Sequence, residues 1–108
     1  MYPLFLAFAA KKHLSFPRII SLLAERPSQL MQLSKGFIAP GYDADIISID
    51  RKNLQKVTIE NLHSKADWSP FEGFPALFPS TMFIRGQQVI GDYEQQVSAG
   101  YGKMVPIP

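Results

Sequence analysis

Cysteine is absent from the 108 residues. Disulfides and thiolate metal sites are therefore excluded, and a reducing compartment is the natural setting. Long apolar runs are missing as well. The opening Met1–Ala10 stretch falls far short of the roughly 20 residues that cross a bilayer. It has no cation ahead of it, and Lys11-Lys12 follow instead, the wrong order for a signal peptide. The expected location is cytoplasmic, without a membrane partner. Charge of one sign is scarce: 11 cationic against 9 anionic residues leave a net +2. The cations are scattered apart from Lys11-Lys12-His13, so no nucleic-acid partner is expected.

Histidine is nearly absent too. Of the two, neither His13 nor His63 has a second histidine or a cysteine at the two- to four-residue spacing that metal ligation on one element uses. The glycines do not spell a phosphate loop. Gly36 to Gly41 lacks a glycine-lysine-serine ending, and Gly100-Tyr101-Gly102-Lys103 opens no helix. The aromatics are spread along the chain and do not alternate with basic residues, so no base-stacking platform is suggested.

What is present suits a small globular unit or a piece of a larger one: 46% hydrophobic and 12% aromatic residues rule against disorder. Tyr2–Lys12 predicts a helix, with Pro3 tolerated in its first turn and cations at its end. Leu4 to Ala10 give this helix no polar face, so it calls for protein on all sides. Ser15 is an expected N-cap ahead of Pro17. Ile19, Ile20, Leu22 and Leu23 form the apolar stripe of a second helix. Arg26-Pro27 is expected to end or kink that helix, a further helical turn to run through Leu30, Met31 and Leu33, and Gly36 to close it with a positive φ.

Pro40-Gly41 predicts a turn, and Ala44–Asp50 a buried strand with Ile47 and Ile49 on one face. Val57-Thr58-Ile59 reads as a short strand. His63–Pro79, with three prolines and the single tryptophan, reads as a long ordered loop. Thr81–Arg85 and Gln88–Asp92 form a hairpin about Gly86-Gln87, expected as a type II′ turn. The tail from Ser98 to Pro108 carries too much glycine and proline for a regular element. The fold class is α+β.

Few residues offer chemistry. Asp43 and Asp45 point to the same side of a strand, where turn capping by Asp43 is the expected role and no third group is in view to perturb them. Asp67, Ser69 and Glu72 share the tryptophan loop without a base partner. A minimal enzyme built from Asp43, Asp45, Glu72 and His63 lacks the required geometry. No catalytic, cofactor-binding or metal residue is assigned.

Four stretches carry a resemblance. Lys35-Gly36-Phe37-Ile38-Ala39-Pro40-Gly41-Tyr42-Asp43-Ala44-Asp45, with the apolar strand and Asp50 behind it, resembles the post-barrel motif of the amidohydrolase superfamily. Ser64-Lys65-Ala66-Asp67-Trp68-Ser69-Pro70-Phe71-Glu72-Gly73 narrows the likeness to cyclic amidases, dihydroorotases first and allantoinases next. Thr81 to Val89 is similar to the hairpin that closes these proteins, and Leu14 to Leu33 to their last barrel helices. Arg26-Pro27-Ser28 and Phe78-Pro79 depart from the usual pattern.

The resemblance implies the C-terminal portion of a zinc-dependent hydrolase that interconverts dihydroorotate and carbamoyl-aspartate in pyrimidine biosynthesis. Residues 1–34 would end the barrel. Residues 35–108 would form part of a composite β-sandwich with the Trp68 loop and the hairpin. The family's metal ligands match no position here, so zinc is expected only for the full-length family and catalysis is not expected of this chain alone. The implied partner is the N-terminal barrel and sandwich region or another copy of the chain. The alternative is a non-catalytic interaction or complementation module.

Overall fold

The computed structural model describes residues 1–106. The last two residues of the glycine- and proline-rich tail, Ile107 and Pro108, lie outside them. The chain is mixed helix and sheet, the α+β composition expected from its sequence.

Helix α1 spans Tyr2–Ala10 with Pro3 in its first turn. It stops two residues before the expected end because Lys12 turns left-handed, at φ 63°. The His13 N–H then donates to the Phe8 carbonyl at 3.0 Å, a closure that satisfies an end carbonyl of the helix. Leu6, Ala7 and Ala9 are buried, whereas Phe5 and Phe8 are 36% and 52% exposed. The all-apolar helix therefore has one covered side and one bare side.

Helix α2, Phe16–Ile20, starts where expected. The Ser15 hydroxyl accepts the Arg18 N–H at 3.3 Å, satisfying a donor that the first turn leaves free. The helix does not break at Arg26-Pro27. It passes through a π turn, Ser21–Glu25, into helix α3, Arg26–Leu30. Pro27 has no N–H, so the Leu23 carbonyl loses its donor four residues on. Widening the turn, with Arg26 N bonded to the Ser21 carbonyl, accommodates the proline. The stranded Leu23 carbonyl is taken by the Tyr2 hydroxyl of α1.

The cap of α3 corrects another expectation. Gln32, at φ 54°, is the left-handed residue, and the Leu33 N–H reaches the Ser28 carbonyl at 2.9 Å. Gly36 is left-handed too, at φ 83°, but its task is different: a Cβ there would lie 2.6 Å from the Ala24 carbonyl oxygen and 2.5 Å from Ser28 Oγ. It lets the outgoing chain lie directly against the helix.

Four strands form an antiparallel sheet in the order β1 (Ile46–Ile49), β4 (Pro79–Ile84), β5 (Gln87–Gly91), β6 (Glu94–Gln95). A second pair joins β2 (Gln55–Lys56) to β3 (Pro75–Ala76). The strand expected at Val57–Ile59 is thus displaced toward the N-terminus. Val57 itself still pairs, through its N–H to Phe74 and its carbonyl to Gly73, while the Asn61 side chain turns the chain at Thr58. The expected loop from His63 to Pro79 contains β3 and reaches into β4.

The β4–β5 hairpin turns at Arg85-Gly86, one residue earlier than expected. Ile84 faces Gln87, and φ is positive at both Arg85 (51°) and Gly86 (80°), the type I′ pattern and not II′. Asp92-Tyr93 repeats that pattern at 50° and 67° and adds β6, which the sequence did not signal.

The core is small. Leu6, Ala9, Ile19 and Leu77 cluster, with Ala10, Phe16, Leu23 and Ile49 packed around them. Leu77 is fully buried, and its N–H donates to the Pro3 carbonyl at 2.8 Å, tying α1 to the strand connection. β1 was expected to be buried, yet Ile47 remains 40% exposed. The accessible surface is 8070 Å² for a 12.1 kDa chain, where a compact monomer of that mass shows roughly 6,000 Å².

Candidate functional site

Exposed apolar side chains are spread along the chain, and some of them line a groove. Between the α1–α2 face and β1 runs an apolar groove of about 420 Å³ whose walls include Tyr2, Leu6, Ile20, Phe37, Ile47 and Met82. The sequence builds it in three steps. The stripe of α2 turns Ile19 inward and leaves Ile20 48% exposed. Gly36 draws the chain onto the helix. The Ala39–Tyr42 turn, closed by the Tyr42 N–H to the Ala39 carbonyl with Gly41 at φ 89°, then holds Ile38 out at the mouth, 85% exposed.

One end of the groove is charged. The Lys35 ammonium bridges Asp43, at 2.7 Å, and Asp45. The second oxygen of Asp45 accepts the Arg85 N–H at 2.8 Å. Desolvation pushes the Asp45 carboxyl up, but the Lys35 and Arg85 hydrogen bonds together outweigh it and hold the group below the ordinary aspartate value. Hydrogen bonding, first to Asp43 and then to Asp45, raises the Lys35 ammonium above the ordinary lysine value. Both sequence expectations for this pair change. A third charged group is present, and Asp45, not Asp43, takes the backbone N–H. Lys35 was missed because its partners lie across the Pro40-Gly41 turn; its position ahead of a turn that leads into two aspartates was the available signal. Asp50 does cap a turn, accepting the Lys52 N–H at 2.9 Å.

The remaining polar residues do not assemble. In the tryptophan loop the Ser64 and Ser69 hydroxyls accept the Ala66 and Phe71 N–H groups; both are turn contacts, and Trp68 is 66% exposed. His13 stacks beside Phe8 with ring centroids 5.5 Å apart. His63 lines a separate cavity of about 310 Å³ with Tyr93 and Tyr101. Among the described residues no three His, Cys, Asp or Glu side chains come together to hold a metal ion. Among the same residues, no helix is long and apolar enough to cross a membrane. The arrangement can bind an apolar surface.

No family model matches the chain. It is 42% identical over 104 residues to the dihydroorotase of Thermoplasma volcanium, covering 96% of this chain and 25% of that protein. It is 36% identical to the Archaeoglobus fulgidus dihydroorotase, over 93% of this chain and 24% of that protein. A D-phenylhydantoinase of Escherichia coli is 33% identical over 85% of the chain. Among solved structures, the L-hydantoinase (dihydropyrimidinase) from Arthrobacter aurescens superposes with a TM-score of 0.83 at 30% identity, over 94% of this chain and 23% of that one. The chain spans about a quarter of the length of the curated relatives it matches.

Proposed function

We propose that this chain, which by sequence belongs to the dihydroorotase- and hydantoinase-like amidohydrolases, is the C-terminal structural part of a hydrolase acting on cyclic amide C–N bonds. Dihydroorotate and carbamoyl-aspartate are the expected substrate pair. In this reading α1 to α3 are the last helices against the catalytic barrel, and the β1-β4-β5-β6 sheet is the C-terminal part of a composite β-sandwich. The zinc ions and the groups that activate water belong to the remaining three quarters of such a protein, and this chain alone is not catalytic.

One observation carries the reading. A chain that matches a quarter of these hydrolases along nearly its whole length leaves a continuous apolar groove bare on the side where its helices meet its sheet. Monomeric proteins rarely leave such surfaces open without a partner.

A chimera tests it. The matching span of the Thermoplasma volcanium dihydroorotase is replaced by this chain, and dihydroorotate ring opening is followed by ultraviolet absorbance with zinc supplied. Activity above buffer is expected from the chimera and none from the isolated chain. A chimera that folds and binds zinc yet remains inactive would overturn the structural role, and turnover by the chain alone would overturn its non-catalytic part. The complementation alternative rests on the same bare groove. It gains if the chain and a separately expressed remainder of the relative co-purify and recover activity without being fused.

A further inference from the structure

We propose that the cleft between the end of α1, the start of α2 and the exit of β1 binds a phosphoryl group, as free phosphate or as a small phosphate monoester. The site lies apart from the apolar groove and does not rest on the hydrolase reading.

The cleft holds about 440 Å³, and its walls include Ala9, Lys12, Ser15, Phe16 and Arg51. Two cations and a hydroxyl thus line it, and no carboxylate does. Neither cation has an acidic partner: among the described residues only Lys35 forms ion pairs. Arg51 is held in place even so, its guanidinium carbon 4.3 Å from the centroid of the Phe16 ring. An ordered fork of this kind loses less freedom on meeting a phosphate. Lys12 stands at φ 63°, a helix-closing conformation that glycine or asparagine adopts at lower cost. A lysine placed there against that cost points to a use for its ammonium. The Ser15 oxygen accepts the Arg18 N–H at 3.3 Å, which leaves the hydroxyl proton to donate. The end of α1 adds no bare acceptors to repel an anion, because the Lys11, Lys12 and His13 N–H groups take the Ala7, Ala9 and Phe8 carbonyls.

The surrounding charge has the same sign. Lys11, Arg18 and Lys52 adjoin the wall residues in sequence. Asp50 adjoins them too, with one oxygen occupied by the Lys52 N–H at 2.9 Å. The Asn53–Tyr93 hydrogen bond also brings the β5–β6 turn, with Asp92 and Glu94, to this side. Five cations against those three carboxylates still leave +2, the chain's entire net charge. A fork, an ammonium and a hydroxyl suit the three oxygens of a phosphoryl group better than the two of a carboxylate.

Amide-resolved magnetic resonance titration of the purified chain with sodium phosphate, at an ionic strength held near ~0.1 M, tests this. Saturable shifts at Lys12, Ser15 and Arg51 are expected, with a dissociation constant on the order of 1 mM. Glycerol phosphate that binds as well as phosphate would support a monoester site, and phosphate that binds alone would support a site for the free ion. Acetate that shifts the same amides as strongly would overturn the phosphoryl reading. Lys12→Asn keeps a residue that tolerates the left-handed turn, and Arg51→Met keeps an apolar stem on Phe16. Each should weaken phosphate binding about fivefold or more, the loss of one charge-assisted contact, with circular dichroism unchanged. Lys65→Gln, in the tryptophan loop, should leave the affinity as it was. Equal weakening by Lys65→Gln, shifts scattered over the other lysines, or no saturation by about 20 mM phosphate, well above the expected constant, would overturn the site.

Discussion

Gly36→Ala should be among the most damaging small changes in this chain, and the structure says why it should exceed Gly41→Ala. Both glycines are left-handed, at φ 83° and 89°, and that conformation costs an L-residue about 1–2 kcal/mol at either site. The surroundings differ. A methyl at Gly41 meets nothing within 4 Å, whereas at Gly36 it stands 2.5 Å from Ser28 Oγ and 2.6 Å from the Ala24 carbonyl oxygen. The carbonyl belongs to a helix and cannot yield as a side chain would, so overpacking adds about 1–3 kcal/mol. The expected losses are then about 1–2 kcal/mol for Gly41→Ala and about 2–5 for Gly36→Ala, against the ~5–15 kcal/mol that holds a domain of this size. Urea unfolding read by circular dichroism, at one fixed protein concentration, should separate the two midpoints by about 1 M, given slopes of ~1–3 kcal/mol per molar. Adding Ser28→Ala to Gly36→Ala should recover only part of the loss, because the carbonyl contact remains. Equal midpoints for the two glycine variants, or full recovery in the double variant, would refute the argument that backbone against backbone decides this site.

Leu77→Ala empties a fully buried position between α1 and the strand connection and should cost about 2–5 kcal/mol by urea titration; Leu30→Ala, at 82% exposure, should stay within about 0.5 kcal/mol. Tyr2→Phe leaves the Leu23 carbonyl without a donor and should lower stability by about 1 kcal/mol, with amide exchange rising in the π turn. Asp45 is held low by Lys35 and the Arg85 N–H, so its contribution is complete above an unfolded value of about 3.9 and fades as pH falls through its depressed value. Lys35 is raised, so its share is complete below about 10.4 and is lost as pH rises through its raised value. The stability difference between wild type and Asp45→Asn should therefore be flat through neutral pH and vanish in acid; because the pair is solvent-exposed, it should remain under about 1 kcal/mol.

Local chemistry was legible wherever neighbours in sequence are also neighbours in space. The Ser15 cap, the Pro40-Gly41 turn, the three helical pieces and the β4–β5 hairpin all follow from patterns a few residues long. The errors share a cause as well. Pro27 was expected to end or kink a helix; the Tyr2 hydroxyl, from another element, takes the carbonyl that the proline strands, and the helix continues through a π turn. Gly36 reads as a cap, yet the cap is Gln32 and the glycine serves a helix contact. Asp43 and Asp45 read as unpartnered because Lys35 and the Arg85 N–H reach them from across a turn and from a distant hairpin.

The sequence alone determined the mixed helix-and-sheet class and the kinship with cyclic amidohydrolases. The first follows from hydrophobic period and turn residues, and the second from motifs of ten or so contiguous residues; both are local signals. It also showed that Leu4 to Ala10 lacks a polar face. Only the tertiary structure decided which side of that helix is covered, that β1 is an open edge, and that a groove lies between them. Those depend on how separate elements pack, and no window of sequence contains the packing of its distant neighbours.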